Sequence, residues 1–558
     1  VSAAKDPSAW APLKRPLFRD RWIASLVSNT GGWMQDTAAT WLMTALTTRP
    51  LLIALMQTAA TLPVLLLGLP AGALADILDR RRLLLFWQAW MLVAAVVLSI
   101  ATFSGGIGPW SLVALTLALN AGAAMNNPAW QAIVPELVPR AEVSHAIALN
   151  SAAFNLARAV GPAAGGLMMA AFVSSKKGGG AVFFLNAVSF LFVIVVLYRW
   201  KRTPFPASEL PGERFLGGVR AGLRYVGHAH AIRGILIRAI LVTSCVSAMW
   251  ALLAVVAQSD LRHGALGYGL LNACIGIGAV AGALVLPRVR ARFSPDRIVR
   301  DSTIAFALAL MVMAFVHHTA VVVVALLLAG FAWISTTATF NIAIQEAVPA
   351  WVQARALGTY QMVFQGGLAV GSAAWGFFAE KASTPTALCL ASLGLVAGLP
   401  LARRFRIESG ASLDLSPAMA SGLTRSAPVV IVEPRPEQGP VLVSIEYRIE
   451  PDDAPEFRAT MHGLKTIRLR DGAMRWGLFA DPVDPVRYVE TFLVESWAEY
   501  LRQRERMTMN DLTVRDKAYS FQRGEIPPPI SRMIYTPTAP QRDPSPQSGS
   551  LVRPRDIS

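Results

Sequence analysis

Twelve stretches of about 20 mostly apolar residues precede residue 405, at approximate limits 22–46, 51–75, 83–104, 109–127, 147–172, 181–198, 234–258, 265–287, 299–316, 319–342, 356–380 and 385–402. In hydrocarbon each backbone N–H and C=O must find its partner inside its own segment, and a helix achieves this. About 20 residues at 1.5 Å each cross the apolar core. Only 15% of the residues are charged, against about 25% in a soluble domain, and the excess apolarity lies before residue 405. The expected fold is an all-α membrane protein of twelve transmembrane helices, followed by a smaller polar region.

The twelve stretches divide six and six around a long loop, and the halves share a signature. Ala159, Val160, Gly161, Pro162, Ala163, Ala164, Gly165 and Gly166 return 210 positions later as Ala369, Val370, Gly371, Ser372, Ala373, Ala374, Trp375 and Gly376. Ala71 to Leu74 matches Ala281 to Leu284 at the same offset, and Phe154 matches Phe364. Two blocks in one register point to a duplicated bundle, the usual architecture of a transporter. Two pseudo-symmetric six-helix bundles are expected over 22–198 and 234–405, with 1–21 before them and the loop 199–233 between.

Basic residues cluster on one side of these spans. Lys5 to Arg21, Arg80 to Arg82, Arg140, the loop 199–233, Arg288 to Arg300, Arg355 and Arg403 to Arg406 fall there, against Arg49, Lys176, Lys177, Arg262 and Lys381 on the other. The rich side is expected to be cytoplasmic, with both termini and the polar region on it. The net charge of +16 is then a topology signal, and nucleic acid is not an expected partner. No cleavable signal peptide is expected. Cys245, Cys274 and Cys389 have no metal spacing and are expected as buried thiols. Neither a metal nor another cofactor is expected.

Residues 406–440 read as a linker rich in Ser, Pro, Gly and Ala. Val441, Val443, Ile445, Tyr447 and Ile449 alternate as in a half-buried strand. Asp452 to Pro455 starts a helix, and two further strands follow after Gly472 and after Pro485. A helix over about 497–507 and a strand near 518–521 complete β-α-β-β-α-β. This is the order of a ferredoxin-like α+β domain, expected over 441–522, with a disordered tail over 523–558. Self-association through this domain is a further expectation.

Gly72, Asp76, Arg80 and Arg81 follow the pattern Gly-x-x-x-Asp with basic residues four and five positions later. This pattern resembles the signature loop of the major facilitator superfamily. Gly161 and Pro162 with Gly165 and Gly166 resemble the fifth-helix motif of its drug/proton antiporter branch, with Ala157 where that motif has another glycine. Arg468 to Ala473 and Ser496 to Gln503 resemble the C-terminal region of the bacterial transmembrane secretion effectors, a branch that includes siderophore exporters similar to the enterobactin exporter. The resemblance covers about 20–522. It implies that the Gly72–Asp76 loop meets the eleventh span near Arg355 and holds the cytoplasmic side shut. It also implies that Gly161 to Gly166 form a hinge. The 441–522 region is also similar to small dimeric ferredoxin-like modules of the antibiotic-biosynthesis monooxygenase type.

Two charges fall near mid-membrane, where ionisable groups are costly and face a cavity or a partner. Asp36 is about 14 positions into the first span and Arg158 about 11 into the fifth. Similar depth and opposite sign predict a pair, either a permanent structural one or one in which a proton on Asp36 frees Arg158. Gln35, Asn120, Asn150, Asn155, Gln361 and Gln365 are cavity candidates, together with Asn29, Gln57 and Asn272. Trp33, Trp41, Trp250 and Trp333 would add flat apolar surface, a mixture suited to a bulky amphipathic small molecule. No catalytic residue is identified: the tail region has no nucleophile–base pair, and His462 and Tyr447 are its only obvious titratable candidates. No GxxxxGK[ST] loop is present, which disfavours ATP-driven pumping by this chain. The expected function is export by alternating access in exchange for protons across a bacterial inner membrane. The alternative is a membrane-anchored enzyme or sensor working through 441–522.

Overall fold

In the computed structural model the described residues are 8, 10–200, 224–225, 227, 229–407, 414–416, 418, 434–524 and 527–536. Most of the loop expected over 199–233, much of the linker, the first seven residues and 537–558 lie outside them. The chain divides into two compact units, Val1–Leu413 and Asp414–Ser558.

The first unit contains α1 (Pro16–Leu46), α2 (Pro50–Ile77), α3 (Arg80–Phe103), α4 (Pro109–Leu137), α5 (Val143–Ala170), α6 (Ser175–Arg199), α7 (His230–Val255), α8 (Ala265–Arg290), α9 (Pro295–Phe315), α10 (Thr319–Ala347), α11 (Ala350–Lys381) and α12 (Thr384–Arg404). Pro16, Pro50, Pro109 and Pro295 each open a helix at a position where no N–H is needed. Asp79, Ser294 and Ser383 cap α3, α9 and α12 through their side chains. Several helices outrun their apolar stretches. α1 begins at Pro16, not near 22, and α4 ends at Leu137, not near 127. Helical hydrogen bonding continues into the polar flanks, which hydropathy does not register.

Nine helices among the described residues are long and apolar enough to cross a membrane. The other three long ones, α1, α4 and α5, are also those that carry Asp36, Asn120, Asn150, Asn155 and Arg158. Packing repeats under a shift of six helices: α1–α5, α1–α6, α3–α6, α3–α4 and α2–α4 recur as α7–α11, α7–α12, α9–α12, α9–α10 and α8–α10. The duplicated signature is thus a duplicated bundle. The two halves meet along α2–α11 and α5–α8. Outward faces of α3, α6, α9 and α12 expose large apolar side chains such as Phe86, Ile100, Leu191, Leu308 and Leu393. Patches of this size need a nonaqueous neighbour.

The second unit holds β1 (Val441–Arg448), α13 (Ala454–Asp471), β2 (Ala473–Ala480), β3 (Arg487–Val494), α14 (Trp497–Glu505), α15 (Met509–Ser520) and β4 (Ile530–Ile534). The strands form one antiparallel sheet in the order β2-β3-β1-β4. Val441, Val443, Ile445 and Tyr447 face the core as their alternation predicts.

Three expectations for this region are corrected. The strand expected near 518–521 is the end of α15, begun by a capping box between Thr508 and Asp511. The last strand lies within the expected disordered tail, because the edge of β1 offers Ile530 to Ile534 a ladder. Parts of the expected linker belong to the fold: Met509 and Asn510 donate their amides to Ser416 and Asp414, and Trp497 and Ala498 to Gln438 and Pro436.

Charge is buried in this unit. Glu490, with no exposure, accepts from Arg468 Nε at 3.1 Å, Trp476 Nε1 at 3.0 Å and the Tyr447 hydroxyl at 3.0 Å. Burial, and then the Glu490 charge, hold the Tyr447 phenol protonated. His462 is exposed on α13. A second centre joins Asp471 and Asp511 through Arg470, at 2.7 Å to each. Burial pushes Asp471 up to about 6, against the pull of Arg470. The folded unit therefore binds this proton more tightly than the unfolded chain. The resulting stabilisation is complete below about pH 4 and is lost as pH rises through 6, amounting to at most about 3 kcal/mol. Asp471→Asn should gain on the parent between pH 4 and 7, measured by hydrogen exchange over 454–494 in the full chain. An unchanged difference across that range would refute it.

Candidate functional site between the two helix bundles

The two signature copies do equivalent work. A Cβ at Gly161 would stand 2.5 Å from the Trp33 side chain, and one at Gly165 2.8 Å from the Met34 carbonyl oxygen, so α5 presses on α1. In the second copy, Gly371 packs at the same closeness on Ser244 and Ser247 of α7. Trp375, at the position of Gly165, donates Nε1 to the Ser244 carbonyl at 2.6 Å. The last residue of each copy reaches across the halves. Gly166 would meet Ala265 O at 2.7 Å on α8, and Gly376 would meet Ala54 Cβ at 2.4 Å on α2. Pro162 lies inside α5 and Ser372 replaces it in α11.

Contact between the halves is graded along the helices. At one end Arg49 donates Nη2 to Glu380 at 2.8 Å, and Leu51 and Ala54 crowd Gly376. Further along, Thr58 donates to the Ala369 carbonyl at 2.9 Å, and Leu65 touches Gly366. By Gly72 and Gly358 an added Cβ would meet nothing within 4 Å. The halves are therefore tightly packed at the Arg49 end and still meet where Gly68 faces Met362 at 3.6 Å, with space beside Gly72 and Gly358 one turn further on.

The loop after α2 is built on helix ends. Asp79 accepts from the Arg82 amide at 2.9 Å. Arg80 donates to the carbonyls of Ala75 and Ala132, each at 3.2 Å. Arg81 donates to those of Leu197 at 3.1 Å and Tyr198 at 2.6 Å. Both cations thus bond carbonyls in the last turns of α2 and α6, and Arg80 also one near the end of α4, where a helix end is negative. The side chain of Asp76 lies outside the described residues, as does that of Arg140. In the second half Gly282, the counterpart of Gly72, is packed against Phe331 and Ile334 of α10.

Asp36 and Arg158 do not pair. Arg158 instead lies 5.7 Å from the ring of Trp33 on α1 and 6.0 Å from that of Trp333 on α10, so it touches both halves. Asp36 is near Tyr268 of α8 and Thr40. The separation is one of register. α1 and α5 start in polar residues that the apolar stretches omit, and Gly165 sits opposite Met34. Arg158 is then seven residues, roughly 10 Å along the axis, from that level. Depth counted from hydropathy misses this offset.

Gln35 is not a cavity residue. It is 1% exposed and accepts from Asn186 Nδ2 of α6 at 2.6 Å, inside the first bundle. Asn120 and Asn155 turn back to the carbonyls of Thr116 and Ser151. With Asn150 and Gln365 they remain partly accessible, and Gln361 is exposed. Trp333 joins an aromatic cluster with Trp250 at 4.7 Å and Phe364 at 5.2 Å, and Phe364 continues to Tyr360 at 5.6 Å. Trp41 stacks on Tyr268 across the halves at 5.7 Å. Tyr268, Tyr360 and the Arg49–Glu380 link carry no signal in the sequence. Each gains meaning only from a neighbour far along the chain.

The family model for the transmembrane secretion effector matches residues 7–540. The chain belongs to this family. Members are transporters of the major facilitator type, and the chain is a multi-pass membrane protein. It is 24% identical over 341 residues to the multidrug efflux pump Tap of Mycolicibacterium fortuitum, across 60% of this chain and 82% of Tap. It is 22% identical over 303 residues to the staphyloferrin A transporter of Staphylococcus aureus, across 54% of this chain and 74% of that one. The fold is also that of the nucleoside transporter NupG, with a TM-score of 0.56 at 12% identity over 70% of this chain and 99% of NupG. For this secretion effector an enzymatic tail gains no support from the family or from either relative.

Proposed function

We propose that the chain exports an amphipathic small molecule across a bacterial inner membrane by alternating access, in exchange for protons. The carrying observation is that Asp36 and Arg158 have no ion-pair partner among the described residues, in a core bounded by aromatic side chains from both halves. A charge held there without a partner is available to a proton or to cargo. The family and the names of its two relatives support efflux of a drug-like or siderophore molecule.

In this reading all twelve long helices cross the bilayer, and the basic end, with both termini, is cytoplasmic. The closed Arg49–Glu380 end is then periplasmic and the state is open inward, ready to load. Gly72, Asp76 and the start of α11 would close the other side, and Gly161, Pro162, Gly165 and Gly166 would serve as the pivot. The second unit is a cytoplasmic ferredoxin-like module, supported by the strand order β2-β3-β1-β4, with regulation or self-association as its role.

Everted membrane vesicles test the proposal. A panel of iron-free siderophores and amphipathic dyes should include one that accumulates without ATP, in proportion to the proton gradient. Accumulation that survives a protonophore would sink the exchange. The latch is a smaller matter, because Arg49 is exposed and such pairs are weak. Arg49→Gln should change the transport rate by no more than roughly fivefold. A complete loss would mean that Arg49 does more than close the end.

A further inference from the structure

The seam between α1 and α6 carries two neighbouring cavities on the outer surface of the first bundle, with Phe192 lining both. One, about 420 Å³, runs between Val27, Gly31 and Met34 of α1 and Val188 and Phe192 of α6. The other, about 300 Å³, shares Phe192 and continues to Leu17, Arg199 and Trp200. From Leu17 to Met34 the groove covers roughly 25 Å of α1 at 1.5 Å per residue. That is close to one leaflet with its headgroup, about 20–22 Å. It stops near the middle of the helix, so it cannot be a passage across the membrane.

Its two ends differ in chemistry. The inner end is walled by apolar side chains that are themselves open to the outside, Val27 and Val188 among them. The mouth is cationic. Arg199 is exposed and has no acidic partner among the described residues. Asp20, the one acid lining the mouth, is already beside Arg19 at 3.4 Å. The C-terminal carbonyls of α6 would repel an anion, but Arg81 occupies those of Leu197 and Tyr198. Arg21 adds a buried cation, stacked on Trp130 at 4.3 Å. Trp200 places an indole at the same level, as membrane interfaces favour.

We propose that this groove holds one anionic phospholipid, its phosphate on Arg199 and an acyl chain laid along Val188 and Phe192 towards Met34. Charge at the mouth, apolar walls and a length of one leaflet select this occupant. The lipid would brace α1 against α6 within one bundle. The site rests on the membrane embedding of the chain and not on the direction or coupling of transport.

Native mass spectrometry of the full chain in detergent tests it, with phosphatidylglycerol and phosphatidylcholine of identical acyl chains. One phosphatidylglycerol should be retained under activation that strips phosphatidylcholine. Arg199→Gln should lower its retention about fivefold, erasing the headgroup preference. Val188→Trp, at an exposed position, should fill the groove and reduce retention of both lipids. Equal retention of the two lipids by the parent, or no effect of either variant, would overturn the site. One-for-one displacement of the lipid by a dye that the vesicles transport would reassign the groove as a lateral port for cargo. Transport measured on the same variants is a separate readout, so failure here leaves the export proposal standing.

Discussion

Gly166→Leu is expected to abolish transport while leaving the chain in the membrane. A side chain there would enter the backbone of α8, with Ala265 O 2.7 Å and Gly269 Cα 3.0 Å from its Cβ. Backbone cannot turn aside as a rotamer does. The facing residue is equally constrained, since a Cβ on Gly269 would lie 2.6 Å from Pro162 O. The state closed at the Arg49 end must then open. Overpacking of this kind costs about 1–3 kcal/mol, so the population of that state should fall by roughly fivefold to somewhat over a hundredfold. Cross-linking between Thr48→Cys and Lys381→Cys, with the native cysteines replaced, reads the population directly. Gly398→Leu is the control, because a Cβ there meets nothing within 4 Å. If Gly166→Leu kept both the parent cross-link yield and the parent transport rate, the α5–α8 seam would not be a working contact.

The second large effect is at Asp36. Asp36→Asn is expected to lower gradient-driven accumulation at least about tenfold while sparing exchange of cargo down its own gradient. The carboxylate has no ion-pair partner among the described residues, and its neighbours Thr40 and Tyr268 are neutral. Removing its charge leaves no cation orphaned, so the fold should survive. Loss of coupling with retained exchange separates a proton carrier from a structural acid. Full accumulation with the parent's pH dependence would end the coupling role. Arg158→Lys complements it: the shorter, rounder cation cannot keep a planar group beside both Trp33 and Trp333.

How much of this was legible in the chain varies by level. Apolar length and charge bias located the long helices, because a membrane imposes one solution on the backbone. The repeat at 159–166 and 369–376 located two sets of close helix contacts, because glycine lets two backbones approach where a side chain would not. Cavity residues were less legible. Gln35 and Asn155 are alike as polar residues in apolar helices, yet one bonds Asn186 inside a bundle and the other keeps partial access. Helical phase relative to a neighbour decides this, and composition does not record it. In the second unit the alternation in β1 was plain, whereas β4 was hidden among Pro, Ser and Arg. A five-residue edge strand is specified by the ladder it joins more than by its own sequence.

The chain by itself determined that there are two kindred sets of long apolar helices, a basic side and a polar unit after residue 405. These follow from transfer free energies and residue periodicities, which are local. Only the tertiary structure decided that Arg158 turns to tryptophans from both halves and away from Asp36, that Arg80 and Arg81 bond carbonyls near helix ends, and that the halves pack most tightly towards the Arg49 end. Those outcomes depend on the axial register between helices that are separate in sequence, which no local pattern encodes.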